Sequence, residues 1–399
     1  MPHPRDVAVV TPWYPTSEQP FRGSFVAAMV SATAPGCDRY TLYHCDSWVA
    51  AMSAAEEARV SEAQRRLAPA VADAGHTAGG ARLVYLPVPV PRGLGHDGVA
   101  DRHAAHLART FADGPLPAPV VHAHVGTPTG WATMPHVRPD ARFFVTEHAS
   151  YIETVLAEPR SRAMYEALLQ QCTRLFAVSG AFAATLRAQF PASADKIDVI
   201  ANPVTFGPPR PEPVRALRRW LYVGSLTARK AVHLVVDAFA ACRRDDPALT
   251  LTLVGPGAER AALEARAAGH GVADAVTFTG AVAPETALAH MRAHDLLVHA
   301  SRWETFGMTM VEAVAAGLPV LVTRCGGPEE TLAGVADAAA EFVAVEDTAD
   351  SLVAGYRRLR GRLTAGSLDL PGAREVLRTR YSPEAVAAAH HRHWFGEAG

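Results

Sequence analysis

Hydrophobic residues in this chain recur in short β-branched runs that alternate with longer alanine-rich stretches. Apolar runs bounded by turn residues predict buried strands, and apolar positions spaced three and four apart predict helices. Strands are predicted at 7–11, 41–43, 83–87, 120–123, 143–146, 175–178, 197–200, 220–223, 249–254, 276–279, 296–298, 320–322 and 342–343. Helices are predicted near 22–34, 50–74, 98–112, 161–171 and 180–189, and between the strands of the second half.

This alternation indicates an α/β protein whose parallel sheets carry helices on both faces. Each half of the chain reads as one doubly wound, Rossmann-like domain, and the proline-rich segment FGPPRPE at 206–212 reads as the linker. We therefore predict domains at 1–208 and 209–382. Ligands of such sheets bind outside the carboxyl ends of the strands, so the active site is expected between the domains.

Composition narrows the function class. The 399 residues, 49% of them hydrophobic, allow two or three domains, and a net charge of −2 gives no reason to expect nucleic acid as a partner. Five scattered cysteines without a C-x-x-C pair favour a reducing, cytoplasmic location. Neither a secretory segment nor a long apolar span is found, so no transmembrane helix is expected. Peripheral membrane contact and the oligomeric state are left open.

The segment HASRWETFGMTMVEAVAAGLPVLVTRCGGPEE at 299–330 holds two carboxylates across a helix start. Glu304 follows the strand at 296–298, and Glu312 falls in a helix predicted to begin near Gly307. The exposed start of this helix would attract a phosphate through its free N–H groups and its dipole. The segment therefore predicts a phosphate contact at Phe306, Gly307, Met308 and Thr309. A capped amphipathic helix with two solvated glutamates is the structural alternative.

The spacing of Glu304, Phe306-Gly307, Glu312 and Gly317-Leu318-Pro319-Val320 resembles the signature of the retaining glycosyltransferases of family 4. The resemblance covers nearly the whole chain and implies the GT-B fold, in which two Rossmann-like domains face each other across a cleft. It also implies that a C-terminal helix, here within 383–399, joins the first domain. In such an enzyme Glu304 would hold hydroxyls of the donor sugar, and Glu312 would accept hydrogen bonds from the ribose.

A second segment, LYVGSLTARKAVHLVVDAF at 221–239, places two basic residues in a turn between a strand and a helix. Only two of the 38 basic residues are lysines, and Lys230 is one of them. A compact ammonium in such a loop suits a diphosphate. The turn resembles the one in which the family's lysine neutralises the donor pyrophosphate, with Arg229 beside it. This turn departs from the family pattern at two positions, because Ser225 stands where the family often has arginine and Ala231 stands where it has glycine. An exposed basic turn without a ligand is the structural alternative.

Two further strand ends, near 255 and 282, are predicted to border the donor. Gly255-Pro256-Gly257 lacks the third glycine of a dinucleotide fingerprint, because Arg260 stands in its place, so a nicotinamide site is disfavoured. Both strand ends resemble donor-binding turns of the family, which makes Gly255 and Val282 candidates. Ordinary turns between a strand and a helix explain the two segments equally well.

In the first domain the loop TPWYPTSEQPFRGSFV at 11–26 resembles the family's loop before the first helix. Gly23 would permit close approach of the backbone to a sugar or phosphate of the donor. Trp13, Tyr14 and Arg22 are predicted on the acceptor side. A simple helix start and ordinary core aromatics are the structural alternatives.

Several histidines lie at predicted strand ends. His148 follows the strand at 143–146, where the family places a histidine against the donor sugar, and the neighbouring Glu147 is assigned to the acceptor side. His124 shares a strand face with His122 and, with Thr127, is predicted to line the acceptor side. No third metal ligand can be placed for this histidine pair, and the histidines at 390, 391 and 393 are expected to be solvated.

Together these residues predict glycosyl transfer from a nucleoside diphosphate sugar, with UDP-sugar favoured, to an acceptor hydroxyl with retention. Lys230, Arg229 and the helix start would stabilise the leaving diphosphate, and a same-face substitution is preferred because no covalent nucleophile emerges. The chain has no D-x-D triplet, so a reaction without a metal or a further cofactor is expected. Equal numbers of acidic and basic residues over 1–210 favour a small molecule or glycan over a lipid as acceptor.

Two other functions fit the same residues. A sugar-nucleotide epimerase on this scaffold would bind the same diphosphate and need no acceptor. A non-catalytic nucleotide-sugar sensor would bind without turnover, although the combined presence of Lys230, Glu304 and Glu312 argues against it. The sequence leaves the sugar, the base and the linkage open.

Overall fold

The computed structural model describes residues 4–16, 19–50, 53, 55, 58–59, 75, 77 and 79–396. The chain divides into two compact units. Unit 1 consists of Met1–Pro203 with Pro383–Gly399, and unit 2 consists of Val204–Ser382. The division therefore lies after Pro203, a few residues before the boundary predicted from the linker composition. Each unit is built on one parallel sheet.

Unit 1 has a seven-stranded sheet in the order β3-β2-β1-β4-β5-β6-β7. Its strands are β1 (Asp6–Thr11), β2 (Arg39–Ala50), β3 (Arg82–Pro91), β4 (Val120–His124), β5 (Arg142–Glu147), β6 (Arg174–Ala177) and β7 (Ile197–Val199). Among the described residues its longer helices before the C-terminal one are α1 (Ser24–Thr33), α2 (His96–Thr110), α3 (Ile152–Ala157), α4 (Pro159–Gln171) and α5 (Gly180–Gln189). Short single turns connect β4 to β5.

Unit 2 has a six-stranded sheet in the order β10-β9-β8-β11-β12-β13. Its strands are β8 (Arg219–Val223), β9 (Thr250–Val254), β10 (Val276–Gly280), β11 (Leu296–His299), β12 (Val320–Thr323) and β13 (Ala340–Val343). Its longer helices are α6 (Val232–Asp245), α7 (Arg260–Gly269), α8 (Pro284–Ala293), α9 (Met308–Ala315), α10 (Gly327–Thr331), α11 (Asp350–Thr364) and α12 (Leu370–Tyr381).

The predicted α/β class and the two doubly wound sheets are confirmed, and each predicted strand is present. Strand β2 is much longer than the predicted 41–43, because its later polar residues are buried by partners distant in sequence. Helix α3 was not expected from the sequence pattern. The helix predicted near 50–74 falls largely outside the described residues.

The last helix, α13 (Pro383–Phe395), belongs to unit 1 rather than to unit 2, which precedes it in the chain. His391 Nε2 lies 2.9 Å from the carbonyl oxygen of Thr33 at the end of α1. Trp394 is buried against Tyr40, with ring centroids 6.2 Å apart. Trp394 thus fills part of the core of unit 1, together with apolar residues such as Val9, Leu42 and Phe144.

Strand order reverses direction once in each sheet, between β1 and β4 in unit 1 and between β8 and β11 in unit 2. At such a switch point the loops after the two central strands run to opposite sides and leave room for a ligand between them. In unit 2 these loops carry Lys230 and Glu304. In unit 1 they carry Trp13, Tyr14 and Gly126. The topology therefore positions candidate residues at one switch point in each unit. Among the described helices, none combines the length and apolarity needed to cross a membrane.

Candidate active site

The loops after β8 and β11 bring Lys230 and Glu304 into direct contact. Lys230 Nζ donates a hydrogen bond to Glu304 Oε1, and the side chains are only 15% and 10% exposed. Arg229 NH1 lies 4.0 Å from the same carboxylate oxygen and donates to the carbonyl oxygen of Trp303 at 2.6 Å. Because water screens this pair weakly, the ammonium and the carboxylate interact strongly. The structure thus joins three residues that the sequence could only nominate separately.

A chain of hydrogen bonds extends from Glu304 into the core of unit 2. Ser301 Oγ donates to Glu304 Oε1 at 2.6 Å, and His299 Nδ1 lies 3.0 Å from that hydroxyl. The His299 ring stacks on Tyr222 with centroids 5.0 Å apart. Since the serine proton points to Glu304, His299 is the donor to Ser301. The sequence analysis missed Ser301 and His299, although both lie in the motif segment.

Glu304 and His299, which belong to this series of hydrogen bonds, differ in charge near pH 7. Burial alone would raise the pKa of Glu304, but the Lys230 ammonium and the hydrogen bonds from Lys230 and Ser301 outweigh it, so this pKa is lowered. Burial, together with the nearby Lys230 charge, lowers the pKa of His299 to about 3. Glu304 is therefore ionised and His299 neutral near pH 7. The site presents a balanced ion pair backed by a neutral imidazole.

Glu312 occupies the second turn of α9 and has a different environment. Its side chain is half-buried, and burial raises its pKa to about 7. The start of α9 is less exposed than the sequence predicted. Phe306 and Gly307 are buried, and Phe306 packs edge-on against Tyr381, whereas Met308 and Thr309 are half-buried. Any anion at this helix start would therefore approach through Met308 and Thr309.

The glycines after β8 and β9 are explained by backbone packing within the protein. A Cβ on Gly255, whose φ is +135°, would lie 2.0 Å from the carbonyl oxygen of Gly224. The turns are also joined by the Leu226 N–H, which donates to the Pro256 carbonyl at 2.8 Å. Gly255 is thus required without invoking a ligand. Ser225 is exposed on the same turn, and Val282 is half-buried after β10.

Two family models match this sequence. One is described as Glycosyltransferase Family 4 and matches residues 60–206, and the other is described as Glycosyl transferases, group 1, and matches residues 216–359. The matches fall in the two units and include Lys230, Glu304 and Glu312. The chain belongs to the group 1 glycosyltransferases.

Individual relatives of this glycosyltransferase agree with that assignment. The chain is 30% identical to glycogen synthase of Mycobacterium tuberculosis over 284 residues, which is 68% of the chain and 63% of the relative. It is 30% identical to D-inositol 3-phosphate glycosyltransferase of Nocardia farcinica over 304 residues, or 69% and 63%. The chain therefore spans slightly less than two thirds of these relatives.

Solved structures confirm the predicted GT-B fold of this glycosyltransferase. Anabaena Alr3699/HepE in complex with UDP and glucose matches with a TM-score of 0.70 and 16% identity, covering 98% of this chain and 99% of that one. Sucrose-phosphate synthase from Thermosynechococcus elongatus matches with a TM-score of 0.69 and 18% identity, covering 98% of both chains. At these identities the matches establish the fold alone.

In unit 1 of the glycosyltransferase, Gly23 is needed for a contact within the loop after β1. Its φ is +67°, and a Cβ there would lie 2.5 Å from the carbonyl carbon of Trp13. The close approach expected for a donor is thus made by the backbone of Trp13 and Tyr14. The half-buried Trp13 ring packs on Phe25, which lies 4.5 Å from the ring of His148.

His148 and His124 meet at the ends of β5 and β4. His124 Nδ1 and His148 Nε2 are 2.8 Å apart, and the rings stack with centroids separated by 5.1 Å. Burial lowers the pKa of His148 to about 3 and that of His124 well below its usual range. The pair is therefore neutral. Thr127, three residues after the end of β4 at His124, is buried in the same loop.

Glu147 has a position that differs from the predicted acceptor side. It is fully buried, and its carboxylate accepts hydrogen bonds from the N–H groups of Gly126, His148 and Ala149 and from the Tyr165 hydroxyl. Burial raises its pKa despite these donors. The three backbone contacts join the loops after β4 and β5, and the Tyr165 hydroxyl ties both loops to α4. Glu147 therefore holds His148 and Gly126 in place rather than presenting a carboxylate to a ligand.

Tyr14 and Arg22 lie in a second group, at the far end of β2. Arg22 NH1 bonds Asp46 Oδ1 at 3.1 Å, and the buried Tyr14 packs edge-on against His44. The sequence analysis missed His44 and Asp46 because it ended the strand at residue 43. The alternation in YTLYHCDSW was the signal that could have extended it.

Of the three C-terminal histidines, which were expected to be solvated, His390 is instead buried. His390 is 2% exposed, and its ring lies 5.5 Å from that of His122 and 5.2 Å from that of Trp394. The other two are half-buried. The local sequence is polar, but α13 returns to the sheet of unit 1 and buries this face. Within the described part of the chain, no group of three or more histidine, cysteine or acidic side chains is arranged to hold a metal ion.

Proposed function

We propose that the protein transfers a glycosyl group from a nucleoside diphosphate sugar, UDP-sugar being favoured, to an acceptor hydroxyl. The reaction retains the anomeric configuration and uses no metal ion. The observation that carries this proposal is the Lys230–Glu304 pair at the switch point of unit 2, with Arg229 beside it. A fixed cation at this place meets the main chemical demand, which is to stabilise a departing diphosphate.

The contacts of Glu304 divide its two oxygens between tasks. Lys230 and Ser301 both donate to Oε1, so we assign Oε2 to a hydroxyl of the donor sugar. Because Lys230 balances its charge, the carboxylate is a poor nucleophile. This supports a same-face substitution, in which the bond from the anomeric carbon to the phosphate oxygen breaks as the acceptor oxygen attacks. The acceptor proton then passes to the leaving phosphate oxygen.

Glu312 is assigned to the ribose and the first unit to the acceptor. A half-buried carboxylate in α9 can accept hydrogen bonds from the two ribose hydroxyls. The choice of UDP draws on HepE, whose solved complexes contain UDP, glucose or UDP-glucose. The names of the curated relatives, glycogen synthase and D-inositol 3-phosphate glycosyltransferase, support an uncharged or phosphorylated hydroxyl compound as acceptor.

The test combines donor binding with product analysis. Thermal shifts with UDP, GDP, ADP and dTDP identify the base, since a ligand at 100 times its dissociation constant stabilises by about 2.7 kcal/mol. The matching α-linked sugar donor is then incubated with candidate acceptors, and NMR of the anomeric proton is expected to show an α-linked product with activity unchanged by excess chelator. A β-linked product or chelator-sensitive turnover would contradict the mechanism. An epimerised donor formed without acceptor would identify an epimerase instead.

A further inference from the structure

Strand β2 extends past its neighbour β1 and carries a row of aromatic and polar side chains on one face. The β1–β2 pairing ends with Thr11 opposite His44, whereas β2 continues to Ala50 alongside β3. Side chains alternate along a strand, so His44, Asp46 and Trp48 point to the same side. In the β2–β3 register Tyr85 lies opposite His44 and joins this face. None of Asp46, Trp48 and Tyr85 is used in the proposed transfer.

Asp46 collects three hydrogen-bond donors that fix this face. Its Oδ1 accepts from Arg22 NH1 at 3.1 Å, and its Oδ2 accepts from the Tyr85 hydroxyl at 2.8 Å and from Trp48 Nε1 at 3.1 Å. Trp48 Nε1 also lies 2.9 Å from the Tyr85 oxygen. Asp46 itself is 7% exposed. A buried carboxylate thus anchors the indole by its polar edge.

Trp48 nevertheless keeps a large surface open to solvent. Trp48 is 45% exposed, although tryptophan is usually among the most buried residues. An aromatic ring held in one orientation can bind a flat apolar surface without losing side-chain freedom. A fixed and exposed indole of this kind is suited to stacking on a ring-shaped ligand. We call it the platform.

The polar groups around the indole of Trp48 indicate which substituents the ligand ring carries. Six-membered sugar and cyclitol rings present a face of C–H groups that stacks on an aromatic face, with hydroxyls at the perimeter. Arg22, whose side chain is 27% exposed, and the half-buried Tyr85 hydroxyl can bind such hydroxyls. The Arg22 charge is already matched by Asp46, which disfavours an anionic group at this position. The strand ends of a doubly wound sheet are also where ligands bind.

We propose that Trp48, with Arg22, Asp46 and Tyr85, forms a subsite for an uncharged polyhydroxylated six-membered ring. This inference rests on the proposed function in one respect: the bound ring is part of the glycosyl acceptor. The shared chemistry covers a pyranose and a cyclitol, and two separate probes distinguish them.

Fluorine NMR of protein labelled with 5-fluorotryptophan tests the site directly. The Trp48→Phe variant assigns the resonance of Trp48, and the wild type is titrated with methyl α-D-glucopyranoside, with myo-inositol and with uridine. A saturable shift of this resonance with either polyol, absent with uridine, is the expected result. If neither polyol shifts this resonance, or if uridine shifts it equally, the subsite is overturned.

Ligand-observed NMR then measures the dissociation constant of the responding polyol in three variants. Trp48→Ala is expected to weaken binding about tenfold, which corresponds to about 1.4 kcal/mol. Tyr85→Phe should weaken it less, because the ring stays while one anchor is lost. Val49→Ala is the matched control, since Val49 is 58% exposed at the next position on the opposite face of β2. UDP affinity should be unchanged in all three.

The outcomes separate this inference from the proposed function. Polyol affinity within twofold of the wild type in Trp48→Ala would overturn the subsite even if the wild type transfers sugar. Polyol binding that depends on Trp48 in a protein that turns over no nucleotide sugar would leave the subsite standing and reject the transferase proposal.

Discussion

The two units of this protein share a sheet topology, but the side chains near their switch points differ in charge. In unit 2 the loops after β8 and β11 meet in a charged pair, Lys230 and Glu304. In unit 1, imidazoles lie beside the switch point, with His124 at the end of β4 and His148 after β5. One scaffold therefore supports a charged and a neutral site, because function depends on the side chains at the strand ends rather than on the sheet.

The difference follows from how each group is compensated after burial. The Lys230 ammonium lowers the pKa of Glu304 although burial opposes ionisation. In unit 1, burial is the main cause that lowers the pKa of His148 to about 3 and that of His390 to about 4. Under the proposed function, unit 2 would take the anionic diphosphate at Lys230 and Arg229. The neutral histidines of unit 1 would accompany an uncharged acceptor ring on Trp48.

Replacing the two lysines of the chain is the strongest test of this comparison. Lys230→Ala should lower turnover about 100- to 1000-fold, the usual loss for one transition-state donor. It should also lower the free energy of unfolding by about 3 kcal/mol, because Glu304 is left buried without its partner. Steady-state kinetics and urea unfolding measure the two effects.

The other lysine provides the matched control for that experiment. Lys196 Nζ donates to the carbonyl oxygens of Leu169, Gln170 and Cys172, and so caps the end of α4 in unit 1. Lys196→Ala should cost less than about 1 kcal/mol of stability and leave turnover intact. Equal activity losses in both variants would show that the charge at the unit 2 switch point has no special role. The double variant Lys230→Met with Glu304→Gln should recover stability but not activity.

The sequence predicts secondary structure and motif residues well, but it does not predict contacts between residues that are distant in the chain. Strands such as β1 and β4 are apolar over their whole length, so composition reveals them. The motif also nominates Lys230 and Glu304. Their contact could not be predicted from local sequence, because it depends on β8 and β11 lying side by side although 72 residues lie between the end of β8 and the start of β11.

Polar residues buried by distant partners were the main source of error. His390 lies in a polar local sequence, and only the return of α13 to unit 1 buries it against His122. Asp46 and Ser47 interrupted the apolar run of β2, so the strand was ended early, although Ser47 bonds His103 at 2.8 Å. Gly23 and Gly255 are required by neighbouring backbone that is distant in sequence, while their contacts with a donor stay a prediction. Local patterns do not report such tertiary partners.

A second prediction uses Glu312, which lacks the counter-charge that Glu304 has. Its folded pKa of about 7 lies above its usual 4.5, so folding stability is lost as the pH rises from 4.5 through 7. Glu312→Gln should therefore stabilise the free protein at pH 8 by up to about 3 kcal/mol and have no effect near pH 4. UDP affinity should move the other way and fall about tenfold at pH 8, because the charged acceptor for the ribose is removed.

Glu304→Gln is the control in the same segment and should show the opposite sign. Its pKa is lowered in the folded protein, so its contribution to stability is present above pH 4.5 and lost on acidification. This variant should destabilise the protein at pH 8 while changing UDP affinity little, since free UDP has no sugar to contact. Thermal unfolding at pH 4 and 8 with calorimetric UDP titrations measures these effects. Identical behaviour of the two glutamates would refute their separate roles.

The smallest effect concerns the neutral histidines of unit 1. The folded pKa of His390, about 4, lies below its usual 6.5, so its contribution to stability is present above pH 6.5 and lost as the pH falls towards 4.

Leucine at position 390 would keep the apolar contact with Trp394 and cannot take up a proton. His390 Nε2 has no hydrogen-bond partner among the residues that the structure describes, so leucine loses only the bond from Nδ1 to Val386. His390→Leu should therefore raise the free energy of unfolding by about 2 kcal/mol at pH 5 and change it little at pH 8. Urea unfolding at the two pH values decides the matter, and equal effects at both would mean that His390 does not set the acid sensitivity of unit 1.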